Sequence, residues 1–171
     1  MKYFSTVFST FILMFSLQWS TAQQLEISDA EVSFVFVSKN VKGSIAGFES
    51  TSKIDWKNLE NSIFQGSVMS KTLNTKNALR NWSLRSGKYF DVDDFPKITF
   101  KSNQVRVENE KVIVDGDLTI KEISKLITIV FTKNQNQLIG TTSLYSIDYG
   151  IKIKKKREDN LVKVKFIFTL K

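Results

Sequence analysis

The sequence predicts an all-β protein: an eight-stranded antiparallel barrel with one short helix inserted between strands 3 and 4. Eight segments alternate apolar and polar residues with the period of two that is typical of half-buried strands. Most of these segments are joined by short polar connections, which favour antiparallel neighbours because parallel pairs need long crossovers. A single stretch between the third and fourth segments has helical spacing instead.

The strand candidates follow one another along the chain. They comprise residues 32–37, 41–53, 62–73, 97–107, 112–121, 124–133, 138–147 and 161–170. The last is the clearest, because Val164, Phe166 and Phe168 alternate with Lys163 and Lys165. This alternation predicts phenylalanines on the inner face and lysines on the outer face. Glycines inside the second and third candidates suit the strong coiling of barrel strands.

The stretch 75–94 interrupts the strand pattern. Thr75 is a predicted N-cap, and Leu79 and Trp82 follow at helical spacing. Pro96, the one proline, then marks the entry to the fourth strand, because proline cannot donate a ladder hydrogen bond. One helix within an eight-stranded meander favours a closed barrel with a helical lid or plug. A two-sheet sandwich is the competing fold, since alternation alone fits both.

The N-terminal residues have the form of a secretory signal peptide. Lys2 precedes the uncharged apolar run 3–17, and the small residues Ser20 and Ala22 follow. The run is short for a membrane span, which needs roughly 20 apolar residues, and an uncleaved anchor is the alternative. We therefore expect cleavage after Ala22, a periplasmic or secreted location, and one mature domain over residues 23–171 without an integral span.

The composition argues against several functional classes. The 171 residues include no histidine and no cysteine, so the commonest general base, the thiol nucleophile and the usual zinc ligands are absent. The acidic cluster at Asp91, Asp93 and Asp94 lacks the spacing of an EF-hand and is interpreted as a solvated turn. We expect no catalytic residue, no cofactor and no metal. The net charge of +8 is spread along the chain without a nucleic-acid recognition motif, so nucleic acid is not an expected partner.

Aromatic residues are then the main lead to function. The chain has 14 Phe, 3 Trp and 4 Tyr, enough to line an elongated apolar pocket or simply to fill a core. The ten candidates for the cavity wall are Phe34, Phe36, Phe48, Phe64, Trp82, Phe90, Phe95, Phe100, Phe166 and Phe168. Arg80 and Arg85 are candidates for a ligand headgroup, because guanidinium offers planar, multiple donors. Equally, each arginine can pair with the acidic cluster and pin the loop.

Several motifs follow one another in a characteristic order. They are a Gly-x-Phe-like segment at 43–48, a small-residue strand end at 69–75, an aromatic-Asp loop with a Pro-x-Ile-Thr-Phe-x-Ser strand at 89–102, Gly-Asp-Leu-Thr-Ile at 116–120, and Ser-Ile-Asp-Tyr-Gly at 146–150. Together these motifs resemble the YceI family of lipocalin-like periplasmic lipid-binding proteins. The resemblance spans nearly the whole mature chain. It implies an extended lipocalin-like barrel that binds an isoprenoid chain or another long amphiphile in the periplasm.

Two functional hypotheses follow. In the first, an exported, non-enzymatic protein holds a polyisoprenoid, an isoprenoid quinone or a similar amphiphile inside the barrel. Burial of such a tail contributes about 0.8 kcal/mol per methylene group. In the second, the barrel is filled by its own aromatic side chains, and the protein is a structural or interaction module that binds envelope polyanions through its basic surface. Either is compatible with a homodimer.

Overall fold

The computed structural model describes residues 24–171. The predicted signal peptide lies outside these residues and stays a prediction. The strands are β1 Gln24–Leu25, β2 Ile27–Phe36, β3 Val41–Ile45, β4 Glu49–Ser50, β5 Ile54–Asp55, β6 Gln65–Met69, β7 Lys97–Glu108, β8 Lys111–Ile120, β9 Ile123–Asn134, β10 Gln137–Tyr145 and β11 Leu161–Leu170. The helix α1 spans Ala78–Arg85.

Nine of the strands form one curled antiparallel sheet. Its order is β3-β2-β11-β10-β9-β8-β7-β6-β4, and β1 pairs with β5 in a separate two-stranded sheet. This confirms the predicted all-β antiparallel class, and α1 lies between β6 and β7, where the helix was expected. The strands β7 to β11 form an antiparallel meander, in which each strand pairs with the next one along the chain.

The predicted number of strands is wrong, because the described residues form eleven strands rather than eight. The candidate 41–53 divides at Gly47, whose φ of +69° turns the chain. Upstream of this turn β3 pairs with β2, whereas downstream β4 pairs with β6. One bent segment, 41–50, therefore carries both edges of the curled sheet. The Met69 N–H of β6 donates to the Ala46 carbonyl at 3.0 Å, and Ser44 of β3 exchanges two backbone hydrogen bonds with Asn74, so the β3 edge is joined to β6 and the residues that follow it.

The predicted N-cap of the helix is also wrong. Asn77 caps α1, because its side-chain oxygen accepts from the Arg80 N–H at 2.9 Å. Lys76, with a φ of +57°, separates Asn77 from Thr75. Thr75 is buried and donates its hydroxyl to Asn81 Oδ1 at 2.7 Å, so it anchors the helix from the side.

The connections between strands collect at two ends of the barrel. The antiparallel register places Met69 beside Lys97 and Phe36 beside Val162 at one end. We call the connections at this end the rim: residues 37–40, 70–96, 121–122 and 146–160. The opposite connections are the base: residues 24–26, 51–64, 109–110, 135–136 and 171. The helix α1 belongs to the rim.

The base is closed by an apolar cluster. Ile54 and Leu59 from the base connection 51–64 are buried against Val112, Leu138 and Leu170 of the strands. The side chains here leave little solvent access, since Ile54 and Leu138 are both 0% exposed. The barrel is consequently packed at its base, and any large internal space lies toward the rim.

Two glycines let phenylalanine rings lie flat against neighbouring strands. Gly140 stands opposite Phe131 in the β9–β10 register, and a Cβ atom at Gly140 would overlap that ring. Gly43 stands opposite Phe34 in the β2–β3 register and has the same relation to it. The glycines are thus needed for close approach of an aromatic ring, in addition to any bending of the strand.

We expect Gly140→Ala to lower the free energy of unfolding by about 1–3 kcal/mol, because the added methyl group must displace the Phe131 ring in a packed core. Urea denaturation followed by circular dichroism measures the change. Thr141→Ala, at the adjacent exposed position of β10, is the control. Equal stability of the two variants would show that the ring does not rest on Gly140.

Candidate functional site

A cavity of about 590 Å³ lies inside the barrel, and its lining extends from Ser52 and Phe64 near the base to Lys39 and Arg80 at the rim. Its volume is within the range of about 300–1,000 Å³ that is usual for small-molecule sites. Eight of the ten cavity candidates line it: Phe34, Phe36, Phe48, Phe64, Phe90, Phe100, Phe166 and Phe168. Branched aliphatic side chains such as Val32, Ile45 and Val164 fill the wall between the rings. The wall is therefore overwhelmingly apolar.

The other two candidates lie outside this wall. Trp82 is 73% exposed on α1, and Phe95 lies beside the Lys121 amine, 5.6 Å from its ring centroid. Two residues along a helix point to opposite sides, so Leu84 contacts the cavity while Trp82 faces solvent. The aromatic character of Trp82 was visible in the sequence, but the direction of its side chain was not.

Phe131 is a cavity residue that the sequence interpretation missed. It is 1% exposed, its ring stacks on Phe64 at a centroid distance of 5.3 Å, and Phe168 lies 5.6 Å away. These rings form the floor of the cavity, where it meets the packed base. The signal was present, because Ile127, Ile129 and Phe131 alternate on the inner face of a strand that was predicted.

The two candidate headgroup arginines have different surroundings. Arg80 is half-buried and lines the cavity. Arg85 donates from Nη2 to the Leu73 carbonyl at 3.0 Å, which ties α1 to the segment before it. Among residues 24–171, the salt bridges include neither arginine, so the alternative of pairing with the acidic cluster at 91–94 is not what the structure shows.

A buried amide organises the basic part of the rim, which sequence reasoning did not single out. Asn160 is 0% exposed, and its Oδ1 accepts from the N–H groups of Ile153 and Lys154 at 3.0 and 2.9 Å. Its Nδ2 donates to the carbonyls of Lys154 and Lys156. Asn160 thus fixes the backbone from which the lysines of this loop project.

The same rim loop is held by an ion pair. Arg157 Nε donates to Asp148 Oδ1 at 2.9 Å, and the guanidinium lies 3.7 Å from the Tyr145 ring centroid. The hydrogen bonds from Arg157 hold the pKa of Asp148 below its usual range. Both groups are partly exposed, so the pair orients the loop more than it stabilises the fold.

Two lysines approach each other at the mouth of the cavity. Lys39 lines the cavity, and hydrogen-bonding contact with its amine lowers the pKa of Lys154. Arg80 is a further cation on the same wall. The cavity therefore combines an aromatic interior with positive charge at its mouth, an arrangement suited to an amphiphile whose polar end carries negative charge or hydrogen-bond acceptors.

A family model for the YceI-like domain matches residues 23–170. The chain belongs to the YceI family. The match extends over every strand and the helix described above, so the resemblance seen in the sequence motifs is confirmed for the described fold as a whole.

Two curated relatives match part of this chain. A UPF0312 protein of Staphylococcus aureus (strain N315) is 37% identical over 94 residues, covering 55% of this chain and 52% of that protein. A UPF0312 protein of Photorhabdus laumondii is 31% identical over 83 residues, covering 48% of this chain and 43% of that protein. The aligned region therefore spans about half the length of these relatives.

Structural similarity extends further than sequence identity. Burkholderia cenocepacia BcnA matches with a TM-score of 0.72 and 18% identity, covering 84% of this chain and 98% of BcnA. A polyisoprenoid binding domain from Saccharophagus degradans matches with a TM-score of 0.61 and 14% identity, covering 86% and 97%. At these identities the likeness establishes the fold. Among residues 24–171, no helix combines the length and apolar character needed to cross a membrane.

One rim residue of this YceI domain has a strongly shifted pKa. Tyr149 is 1% exposed, packs with Ile120 and Ile151, and its hydroxyl has no hydrogen-bond partner among residues 24–171. Burial raises the pKa of Tyr149 to about 12 from the ordinary value of 10. The folded protein therefore keeps the phenol protonated at pH values where the unfolded chain releases the proton.

We expect the contribution of Tyr149 to stability to be constant below pH 10 and to fall between pH 10 and about 12, because only the unfolded chain ionises there. Between neutral pH and pH 11, the free energy of unfolding should fall by about 1 kcal/mol less in Tyr149→Phe than in the wild type. Denaturant unfolding at neutral and alkaline pH measures this, with Tyr145→Phe as the control. An identical pH dependence of Tyr149→Phe and wild type would contradict the assignment.

Proposed function

We propose that this YceI-family protein is a non-enzymatic binding protein that holds the hydrophobic chain of a polyisoprenoid, an isoprenoid quinone or a similar amphiphile inside its barrel. The observation that carries the proposal is the aromatic-walled cavity of about 590 Å³. The proposal is supported by the Saccharophagus degradans neighbour, which is described as a polyisoprenoid binding domain. It includes export through cleavage after Ala22, with binding in the periplasm or outside the cell.

The size of the cavity sets the length of chain that it can hold. The cavity of about 590 Å³ is of a size usual for small-molecule sites. Burial of a dozen methylene groups contributes about 10 kcal/mol at about 0.8 kcal/mol each. Association itself costs about 4–15 kcal/mol. Short chains are therefore expected to bind weakly, whereas chains that fill most of the cavity are retained.

The polar end of the ligand is proposed to lie at the mouth. Lys39 and Arg80 line the cavity there, and so do Thr75 and Ser83. Arg85 is the weaker headgroup candidate, because its Nη2 already donates to the Leu73 carbonyl. Arg80 is thus the guanidinium that we propose to contact a phosphate, carboxylate or quinone oxygen.

We expect Val164→Trp to abolish retention of a long hydrophobic ligand, because this cavity-lining side chain of β11 would be replaced by a ring that occupies the ligand's space. The measurement is organic-solvent extraction and mass spectrometry of protein purified from a bacterial host. Lys163→Trp, at the adjacent exposed position of the same strand, is expected to retain the ligand. Undiminished ligand in a folded Val164→Trp protein would favour a barrel filled by its own side chains.

We expect Arg80→Ala to weaken binding of a prenyl phosphate by about tenfold to a hundredfold, because a hydrogen bond to a charged group contributes about 1.5–3 kcal/mol. Binding of the matched uncharged prenyl alcohol should change little. Arg80→Lys should recover part of the loss, since it keeps the charge without the planar fork. Equal weakening of both ligands would show that Arg80 supports the helix rather than the headgroup.

A further inference from the structure

The charges at the two ends of the barrel differ. The rim connections 37–40, 70–96, 121–122 and 146–160 contain twelve Lys and Arg against seven Asp and Glu. The base connections 24–26, 51–64, 109–110, 135–136 and 171 contain three against four. The excess positive charge of the connections thus lies at the end where the cavity has its mouth.

The rim also exposes large apolar side chains. On α1, Leu79 is 77% exposed and Trp82 is 73% exposed, and their spacing of three residues places them on one face of the helix. Val37, 40% exposed, adds a third apolar side chain on the rim connection 37–40. Adjacent, highly exposed tryptophan and leucine side chains on a helix of eight residues form an apolar patch of the kind that marks an interaction surface.

The opposite face of the same helix contacts the cavity. Arg80 and Leu84, four residues apart, line the cavity wall, while Leu79 and Trp82 face outward. The helix therefore separates the ligand site from whatever the outer apolar face meets. A partner that contacts this outer face lies within about one helix diameter of the mouth of the cavity.

We propose that the rim is a docking surface for an anionic lipid bilayer, with Trp82 and Leu79 entering the boundary between headgroups and acyl chains. Rim lysines such as Lys155 and Lys156 then lie among the phosphate headgroups. Tryptophan suits this boundary because its ring is both apolar and a hydrogen-bond donor. A soluble polyanion offers no apolar phase for Leu79, whereas a bilayer covers it without a complementary pocket. The role of docking in ligand transfer rests on the proposed function, whereas docking itself requires only the bilayer.

The first test is sedimentation of the full chain with vesicles free of isoprenoids, made of phosphatidylcholine alone or mixed with phosphatidylglycerol. We expect binding to the anionic vesicles, weakened by salt, and a loss of about tenfold or more in the double variant Leu79→Ser/Trp82→Ser. Leu126→Ser is the matched control, since Leu126 is 67% exposed on the outer wall of β9. All variants share residues 1–22, so any contribution of that segment cancels in the comparison.

The contribution of charge is tested in the same assay. Lys155→Glu/Lys156→Glu removes exposed positive charge from the rim, and Lys53→Glu/Lys57→Glu makes the same change at the base. We expect only the rim variant to lose binding. Equal losses in the two variants, or anionic binding that ignores Leu79→Ser/Trp82→Ser, would overturn the proposal and indicate a general affinity for polyanions.

Insertion is tested by fluorescence of Trp82 in a Trp19→Phe/Trp56→Phe background. Trp56 lies at the base, with the Lys133 amine 3.9 Å from its ring centroid, so its replacement leaves the rim unchanged. We expect a blue shift on addition of anionic vesicles and quenching by brominated acyl chains. Sedimentation without either spectral change would refute insertion.

A cavity variant separates docking from cargo binding. Val164→Trp is expected to lose the cargo yet to sediment with anionic vesicles like the wild type. If the wild type carries no lipid but docks, the proposed function fails and the docking surface stands. If it carries lipid but does not dock, the proposed function stands and the docking surface fails.

Discussion

The cavity depends on the contact between the Phe131 ring and the backbone at Gly140. Because Gly140 has no side chain, the ring lies flat on β10 and stacks with Phe64 across the barrel. Phe168 completes this layer of rings. The layer lies between the packed cluster at the base and the open part of the interior that forms the cavity.

The rim brings together the mouth of the cavity, the exposed face of α1 and the basic loop 152–157, whereas the base connection 51–64 packs against the strands. Exposed apolar and positively charged side chains also occur on strands, for example Leu126 and Lys163, but on the rim connections both kinds stand at the end of the barrel where the cavity has its mouth. These connections are nevertheless rigidly attached. Asn160 binds the basic loop through four hydrogen bonds, and Arg85 ties α1 to the Leu73 carbonyl. A fixed rim of this kind can orient the protein against a partner without rearranging the wall of the barrel.

The sequence was sufficient for the strands from β7 to β11, whose predicted ends lie within two residues of those observed. In these strands successive residues face the core and the solvent in turn, so the period of two in the sequence shows both that the segment is a strand and which side chains point inward. Alternation does not reveal which strand becomes a neighbour, so the division of 41–53 at Gly47 was missed. Helical spacing likewise does not show whether the Trp82 side chain faces the cavity or the solvent. The hydrogen bonds of Asn160 form within a loop whose shape exists only in the folded chain, so the sequence does not reveal them. The inward direction of Phe131, in contrast, could have been predicted from the alternation of β9.

The bent segment 41–50 has a consequence for the adaptability of the wall. Every other pair of neighbouring strands in the large sheet shares five or more residue pairs, but β4 meets β6 through only two. Beside them, the segment 44–46 is held by the Met69 N–H, by two backbone hydrogen bonds with Asn74 and by the Thr72 hydroxyl. Along this line the sheet can part at the expense of a few bonds while every other strand pair stays intact. This line is therefore a longitudinal seam, where the least backbone pairing resists a change in the girth of the curled sheet.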